Sequence, residues 1–107
     1  MLYKQPRKQR ERDEVSKPLV EFMRQRGWHV TKMHGNMFQK GVPDLYCTHE
    51  SFGVAWIETK VPGKKLRASQ KKLFTEWAKH GTRNIWVINH CDDYKKLFEP
   101  PNWYRYV

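Results

Sequence analysis

The chain has 107 residues, which suits one domain with a modest core, and its 21 Lys and Arg against 11 Asp and Glu give a formal net charge of +10. This excess is larger than an enzyme of neutral small molecules needs. It favours binding to nucleic acid, with an anionic membrane surface as the competing partner. No apolar run approaches the roughly 20 residues that span a bilayer and no signal peptide is visible, which predicts a soluble, cytoplasmic protein.

Residues 1–12 form a basic arm with almost no apolar periodicity, and its charged residues include Lys4, Arg7, Lys8, Arg10 and Arg12. Such a segment is typical of a solvated terminus and equally of an arm that contacts phosphates, and both interpretations stay open. The remainder, residues 13–107, is predicted to be a single domain. Its two cysteines, Cys47 and Cys91, form no Cys-x-x-Cys pattern, so we expect them to be reduced.

A helix is predicted over residues 13–26, because one apolar stripe recurs at helical spacing through Val15, Leu19, Phe22 and Met23. Pro18 has to lie in or near the first turn, since deeper in a helix it costs about 3 kcal/mol. Gly27 supplies a C-terminal stop. Glu14 and Glu21 are seven residues apart and therefore share one flank of this helix.

Three strands are predicted next, over residues 28–34, 42–48 and 52–57. Pro43 restricts the second to a sheet edge or to the start of a strand, whereas the third is apolar on both faces and predicts a central, doubly covered strand. A second helix over residues 67–80, a strand over 84–89 and a short helix over 92–98 follow. The order α-β-β-β-α-β predicts an α/β domain in which helices flank a small mixed sheet.

Carboxylates interrupt two of these strands. Glu58 and Lys60 project from one face just where an apolar run ends, and a hairpin would bring Asp44 beside Glu58. Two neighbouring carboxylates repel each other unless a cation such as Mg²⁺ or Mn²⁺ is bound, and the Thr59 carbonyl can add a third oxygen ligand. The cation would acidify a bound water, and Lys60 would orient that water or stabilise developing negative charge. The alternative is an ordinary Glu58–Lys60 ion pair and an Asp44 that caps a turn.

Gln70 interrupts the apolar stripe of the second helix, which contains Leu73, Phe74 and Trp77. A buried amide needs hydrogen-bond partners. It either bonds loop backbone or points across the helix terminus toward the carboxylates, where it would position a phosphate or a water.

Two groups of basic residues accompany these motifs. The first lies around the start of the second helix, which favours phosphate contact over a solvated face: Lys64, Lys65, Arg67, Lys71 and Lys72. The second precedes the Pro-Asp pair, either as phosphate contacts or as a solvated loop: Lys32, His34 and Lys40. The aromatic tail, residues 103–107, is a candidate partner surface. Cys47-x-His49 and His90-Cys91 lack the paired spacing of a structural zinc site.

Gly41-Val42-Pro43-Asp44, Glu58-Thr59-Lys60 and Ala68-Ser69-Gln70 together resemble the PD-(D/E)XK nuclease superfamily, specifically its VRR-NUC branch, over about residues 12–90. The resemblance implies a restriction-endonuclease-like core with Asp44 and Glu58 as metal ligands, Lys60 as the catalytic lysine and Gln70 as an added site residue. The family also carries a glutamate on the first helix, aimed at the metal, for which Glu14 is the candidate and Glu21 the fallback.

The resemblance further implies an endonuclease that hydrolyses DNA phosphodiesters with Mg²⁺ or Mn²⁺. The chain is similar to short stand-alone members carried by bacteriophages, which implies the host cytoplasm as its location. Because stand-alone members resemble Holliday-junction resolvases, we expect a homodimer that acts on branched DNA through backbone and shape. A non-catalytic nucleic-acid-binding module and a small sequence-specific restriction-type nuclease are the rival functions. RNA also stays open as a substrate, because nothing in the sequence reads a 2′-hydroxyl.

Overall fold

The computed structural model describes residues 10–33 and 39–107. A π-helical segment, Glu11–Ser16, leads directly into helix α1, Lys17–Arg24. The strands are β1 (His29–Lys32), β2 (Leu45–His49), β3 (Gly53–Thr59) and β4 (Ile85–Ile88). Helix α2, Ala68–Lys79, connects β3 to β4, and two short 3₁₀ helices, Asp93–Phe98 and Trp103–Tyr106, end the chain. None of the helices in this part of the chain has the length and apolar character needed to cross a lipid bilayer.

The four strands form one mixed sheet in the order β1-β2-β3-β4. β1, β2 and β3 are antiparallel neighbours, in a register that pairs Cys47 with both Val30 and Ala55. β4 runs parallel to β3, and α2 supplies the crossover connection that a parallel pair of strands requires. The predicted α/β class, with helices flanking a small mixed sheet, is confirmed, and the strand ends differ from the predicted ones by at most three residues.

A core lies on each face of the sheet. The first packs the helices that precede β1 against the strands, through Val15, Leu19, Val20, Met23, Val30, Leu45, Cys47, Ala55 and Ile57. The second packs α2 against the opposite face, where Leu73 and Phe74 meet Ile85 and the half-buried Trp56. Each large apolar side chain buried in this way contributes roughly 1.5–3 kcal/mol. β3 is therefore covered on both faces along its second half, as predicted, while Gly53 and Val54 are exposed.

The first helix departs from the expectation about Pro18. Pro18 is the second residue of α1, but the helical run begins earlier, so it does not lie in the first turn of that run. The Lys17 N–H donates to the Arg12 carbonyl five residues back, which is the hydrogen bond of a π-turn. Proline has no N–H with which to continue an α-helical ladder, so a wider turn precedes it. Residues 10–12, predicted to belong to the basic arm, are helical.

The C-terminal residues complete the outer edge of β4. The Asn102 side chain accepts a hydrogen bond from the Val87 N–H at 2.7 Å and donates one to the Val87 carbonyl at 3.1 Å, as a neighbouring strand would. The Leu66 N–H donates to the Tyr106 carbonyl at 2.7 Å, and Trp103 packs against the α2 core. The tail predicted as a candidate partner surface is therefore packed in part against the rest of the domain, although Tyr104 remains 53% exposed.

Candidate active site

The structure brings Asp44 and Glu58 opposite each other at one end of the sheet. Leu45 of β2 pairs with Ile57 of β3, so Asp44, one residue before Leu45, faces Glu58 in the same register. Residues directly opposite on antiparallel strands project from the same face. That face is the one covered by α2, because Trp56, two residues before Glu58, packs against the α2 core. The two carboxylates therefore occupy one face, as a hairpin between their strands predicts.

Glu58 is a buried carboxyl group with one unsatisfied oxygen. Its Oε2 accepts a hydrogen bond from Gln70 Nε2 at 2.6 Å, and only 2% of the residue is exposed. Its Oε1 is buried and has no hydrogen-bond partner in the part of the chain that the structure describes. Burial, and then the charge of Asp44, raise the pKa of Glu58 from 4.5 to about 8, against the opposing effects of Lys60 and Gln70. An unpaired polar atom in this state is unusual, since buried polar groups are ordinarily paired.

Lys60 lies beside this carboxyl group. Its Nζ is 3.5 Å from Glu58 Oε2, and both side chains are almost fully buried. The Lys60 backbone N–H donates to the Ile88 carbonyl at 3.0 Å, which extends the pairing of β3 with β4 by one residue and fixes the side chain on the carboxylate face. An ordinary surface ion pair would be exposed and of small energetic value. The burial of this pair does not fit that alternative.

Gln70 combines the two roles that its position in the sequence left open. Its Oε1 accepts a hydrogen bond from the Arg67 backbone N–H at 3.0 Å, which caps the start of α2, while its Nε2 donates to Glu58. The residue is completely buried. It therefore connects the N-terminus of α2 to the carboxyl group and fixes the direction of Glu58 Oε2.

Asp44 is oriented by the strand that carries Glu58. Its Oδ2 accepts hydrogen bonds from the Thr59 backbone N–H at 3.0 Å and from the Thr59 hydroxyl at 2.8 Å. The backbone carbonyl of Asp44 accepts from the Met33 N–H at 2.7 Å, which ties the residue to the end of β1. The hydroxyl contact of Thr59 was not foreseen, because only its backbone carbonyl was considered as a ligand. The sequence signal for this hydrogen bond is a β-branched hydroxyl residue between Glu58 and Lys60.

Gly41 holds the loop before Asp44 against α2. A Cβ added at this glycine would lie 2.4 Å from the Ser69 carbonyl oxygen, and its φ is +92°. No other residue fits this close approach without displacing the loop or the helix. The motif that contains Gly41 is visible in the sequence, but the contact with the start of α2 is a tertiary feature that the sequence did not reveal.

The first-helix glutamates are not brought to this site. Glu14 is exposed and forms an ion pair with Arg10 at 3.7 Å on its own helical segment, and Glu21 is also exposed. Among the described residues, the one group of three His, Cys, Asp or Glu side chains with ligand atoms within 4.8 Å of one another is His90-Cys91-Asp92. These are consecutive residues after β4 whose His and Asp side chains are exposed. Neither Glu14 nor Glu21 therefore completes a three-carboxylate cluster with Asp44 and Glu58.

The predicted phosphate contacts that the structure describes lie at the same end of the sheet. Lys32 ends β1 beside Leu45, and Lys40 precedes Gly41. Those that follow β3, or that lie in the first five residues of α2, are all exposed: Lys64, Lys65, Arg67, Lys71 and Lys72. His34 lies outside the described residues. Exposed positive charge that could contact phosphates therefore lies on the segment that leads from Lys60 into α2.

A buried carboxyl group of Glu58 that faces the half-buried Asp44, with an ammonium and an amide in contact with Glu58, defines a candidate functional site on an α/β sheet. No protein-family model matches the chain, and neither the curated proteins nor the solved structures contain a significant match to it. The resemblance to PD-(D/E)XK nucleases, and to VRR-NUC proteins in particular, therefore remains a prediction from the motifs quoted above. Support for any function therefore has to come from the geometry and the chemistry of the site residues themselves.

Proposed function

We propose that the protein is a divalent-metal-dependent endonuclease that hydrolyses DNA phosphodiester bonds. The observation that carries this proposal is the buried Oε1 of Glu58, which has no partner among the described residues and belongs to a carboxyl group that faces Asp44. A site that raises the pKa of a buried carboxyl group by burial and by a second carboxylate is suited to a positive ion. The resemblance of the motifs to PD-(D/E)XK nucleases supports the same function.

The residues present fit a hard divalent cation. Asp44 and Glu58 offer carboxylate oxygens, and the Thr59 carbonyl offers a neutral oxygen, the ligand set that Mg²⁺ and Mn²⁺ prefer. When bound, such an ion supplies Lewis acidity: it acidifies water and neutralises the charge that develops on a phosphate undergoing displacement. The exposed group His90-Cys91-Asp92 offers softer ligands that do not suit this chemistry.

The remaining site residues supply positive charge or hold the two carboxyl groups in position. Lys60 places an ammonium at the carboxylate pair, where it donates a hydrogen bond to an attacking water or stabilises negative charge on a phosphate oxygen. Gln70 is a positioning residue, because its hydrogen bond to Glu58 Oε2 directs the carboxyl group. Thr59 does the same for Asp44 through its N–H and hydroxyl.

The proposed substrate is branched DNA. The basic residues between Lys60 and the first turn of α2 are exposed and can contact phosphates without reading bases. The resemblance to stand-alone resolvase-like proteins supports a homodimer that acts on four-way junctions. The expected location, by the same resemblance, is the cytoplasm of a host cell.

The direct test incubates the purified protein with linear, flapped and four-way DNA, in Mg²⁺, in Mn²⁺ and in chelator. We expect metal-dependent cutting with preference for branched substrates, abolished by Asp44→Asn, which keeps an oxygen for the two Thr59 hydrogen bonds but removes the charge. Asp92→Asn, at an exposed position, is the matched control and should cut normally. DNA binding without cutting under every condition would establish a non-catalytic binding module, and cutting of linear duplex at one fixed sequence would establish a restriction-type nuclease.

A further inference from the structure

Apolar exposure is concentrated at the hairpin end of the sheet, away from the carboxylates. Three of the six exposed large apolar side chains in the described residues lie there: Phe22 at 37%, Phe52 at 54% and Phe98 at 52%. They form one surface with Trp28, His49 and Tyr94, and these six residues are called the aromatic patch. Contiguous apolar surface of this kind marks an interaction site more often than scattered exposed residues do.

The rings of the aromatic patch contact one another in a continuous series. The Phe52 ring centre lies 4.4 Å from that of His49 and 4.9 Å from that of Phe98. Tyr94 then joins Phe98 at 5.3 Å and Phe22 at 5.1 Å. Trp28 anchors the series, because it is buried and its Nε1–H donates to the Tyr94 hydroxyl at 3.0 Å. The patch is thus held in one arrangement before any partner arrives, which lowers the cost of binding.

The charges beside the aromatic patch have both signs, and none of them forms an ion pair with a described residue, although Arg26 Nη1 donates a hydrogen bond to the Phe22 carbonyl at 3.1 Å. The Arg26 guanidinium lies 3.3 Å from the Phe22 ring centre, and Arg26 forms no ion pair with any described residue. Each exposed phenylalanine also has an exposed glutamate within two residues along the chain: Glu21, Glu50 and Glu99. These glutamates likewise form no ion pair within the described ranges 10–33 and 39–107.

This mixture of charge bears on the partner. The carboxylates of Glu21, Glu50 and Glu99 repel phosphates whereas Arg26 attracts them, so the surface does not favour a partner of one sign of charge. A surface with apolar rings at its centre and unpaired charges of both signs around them is self-complementary. In a two-fold contact the same patch lies on both sides, so Arg26 of one copy can meet a glutamate of the other.

We infer that the aromatic patch is the contact surface for a second copy of this chain, in a two-fold symmetric dimer. The inference is independent of the nuclease assignment, and it places the contact at the hairpin rather than at the C-terminal tail. Glu58 lies six residue positions after Phe52, about 20 Å along β3. A dimer formed in this way leaves both carboxylate sites uncovered.

The test measures molar mass by light scattering during size-exclusion chromatography over a range of protein concentrations. Wild type should have the mass of two chains, and Phe52→Glu and Phe98→Glu should raise the dimer dissociation constant by at least about tenfold. Tyr104→Glu is the matched control, since Tyr104 is 53% exposed on the tail against 54% for Phe52, and it should dimerise as wild type does. Circular dichroism and thermal unfolding check that all three variants are folded.

Three results would overturn the inference. Wild type with the mass of one chain at high concentration would reject a second copy as the partner. Two-chain mass in both phenylalanine variants would locate the dimer contact elsewhere. Monomeric wild type whose affinity for a single-stranded oligonucleotide falls in Phe52→Glu, and not in Tyr104→Glu, would assign the aromatic patch to base stacking instead.

Discussion

At one end of the sheet a carboxyl group and an ammonium, Glu58 and Lys60, are buried, whereas at the other end the rings of Phe52 and Phe98 are half exposed. Charged side chains usually lie outside and large apolar ones inside. Both ends therefore depart from the usual distribution, in opposite directions. Each departure costs free energy in the isolated chain, and each has its own proposed partner: a cation at the first end and a second copy of the chain at the other.

The two ends also differ in how completely their polar groups are satisfied. Glu58 Oε1 has no partner among the described residues. His49, in the aromatic patch, uses both ring nitrogens: Nδ1 accepts from the Ser51 N–H at 3.0 Å and Nε2 lies 2.9 Å from the Arg26 carbonyl oxygen. The ring nitrogens of His49 are thus satisfied within the chain, whereas Glu58 Oε1 is not. We expect the hairpin end to respond to protein concentration and the carboxylate end to respond to ions and to pH.

Changes at the carboxylate end should have the largest effect on cleavage. Lys60→Ala removes the ammonium from the site and is expected to lower the rate of DNA cleavage on the order of 10³-fold, because an aligned donor to developing charge is lost. DNA affinity, measured by fluorescence anisotropy, should change only a few-fold. Lys79→Ala, at the exposed end of α2, is the control and should cut at the wild-type rate. Equal loss of cutting and binding in Lys60→Ala would make Lys60 a binding residue.

The same end should dominate the dependence of stability on pH. The pKa of Glu58 is raised from 4.5 to about 8 by folding, so the folded state holds the proton more tightly than the unfolded state does. The contribution of Glu58 is therefore fully present below about pH 4.5 and is lost as pH rises toward 8, by up to roughly 1.4 kcal/mol per pH unit. Glu58→Gln mimics the protonated form and should remove this decline.

Denaturant unfolding in chelator at several pH values measures this difference between wild type and Glu58→Gln. Added Mg²⁺ or Mn²⁺ should stabilise wild type at pH 8 and leave Glu58→Gln unaffected. Parallel pH profiles for the two proteins would show that Glu58 is not the group responsible.

Substitutions at two glycines, one at each end of the sheet, allow the two ends to be compared directly. Gly41 and Gly53 both have positive φ, but a Cβ at Gly41 would lie 2.4 Å from the Ser69 carbonyl oxygen, whereas a Cβ at Gly53 would meet nothing within 4 Å. Both alanine variants incur the backbone cost of about 1 kcal/mol or more, and Gly41→Ala should lose clearly more stability and also cleavage activity. Thermal unfolding and cleavage rates provide the two readouts. Equal melting temperatures for the two variants would mean that the loop moves away from α2 without cost.

The smallest effect on folding should come from the aromatic patch. Phe98 is 52% exposed, so Phe98→Ala is expected to change the free energy of unfolding of the monomer by less than about 1 kcal/mol. Dimer mass should fall in this variant while metal-dependent cleavage of a simple nicking substrate persists. A loss of several kcal/mol in dilute, monomeric protein would instead make Phe98 part of the core.

Local sequence patterns were enough to predict the secondary-structure elements and the contacts of Glu58 with Lys60 and Gln70. The two-residue spacing of Glu58 and Lys60 and the position of Gln70 on an apolar stripe are properties of a single strand and a single helix, and all three side chains do meet. The placement of Asp44 required only the register of one hairpin. Periodicity and short-range pairing therefore gave correct contacts.

Features that depend on tertiary contact or on helix irregularity were not predicted. The π-turn before Pro18 shifts the direction of every earlier side chain, so counting residues from Gly27 could not place Glu14. The aromatic patch draws its rings from α1, the β2–β3 hairpin and the 3₁₀ helix Asp93–Phe98, and no local pattern relates these segments. The close approach of Gly41 to Ser69 is hidden for the same reason.

Asn102 has a practical consequence for the behaviour of shortened chains. Its amide occupies the hydrogen-bonding positions of Val87 that a further strand would use. A chain that stops before Asn102 would leave an apolar edge strand with open N–H and C=O groups, a template for strand addition by other molecules. Such truncated protein is expected to aggregate even where its carboxylate end is intact, so the last six residues are expected to protect against misassembly.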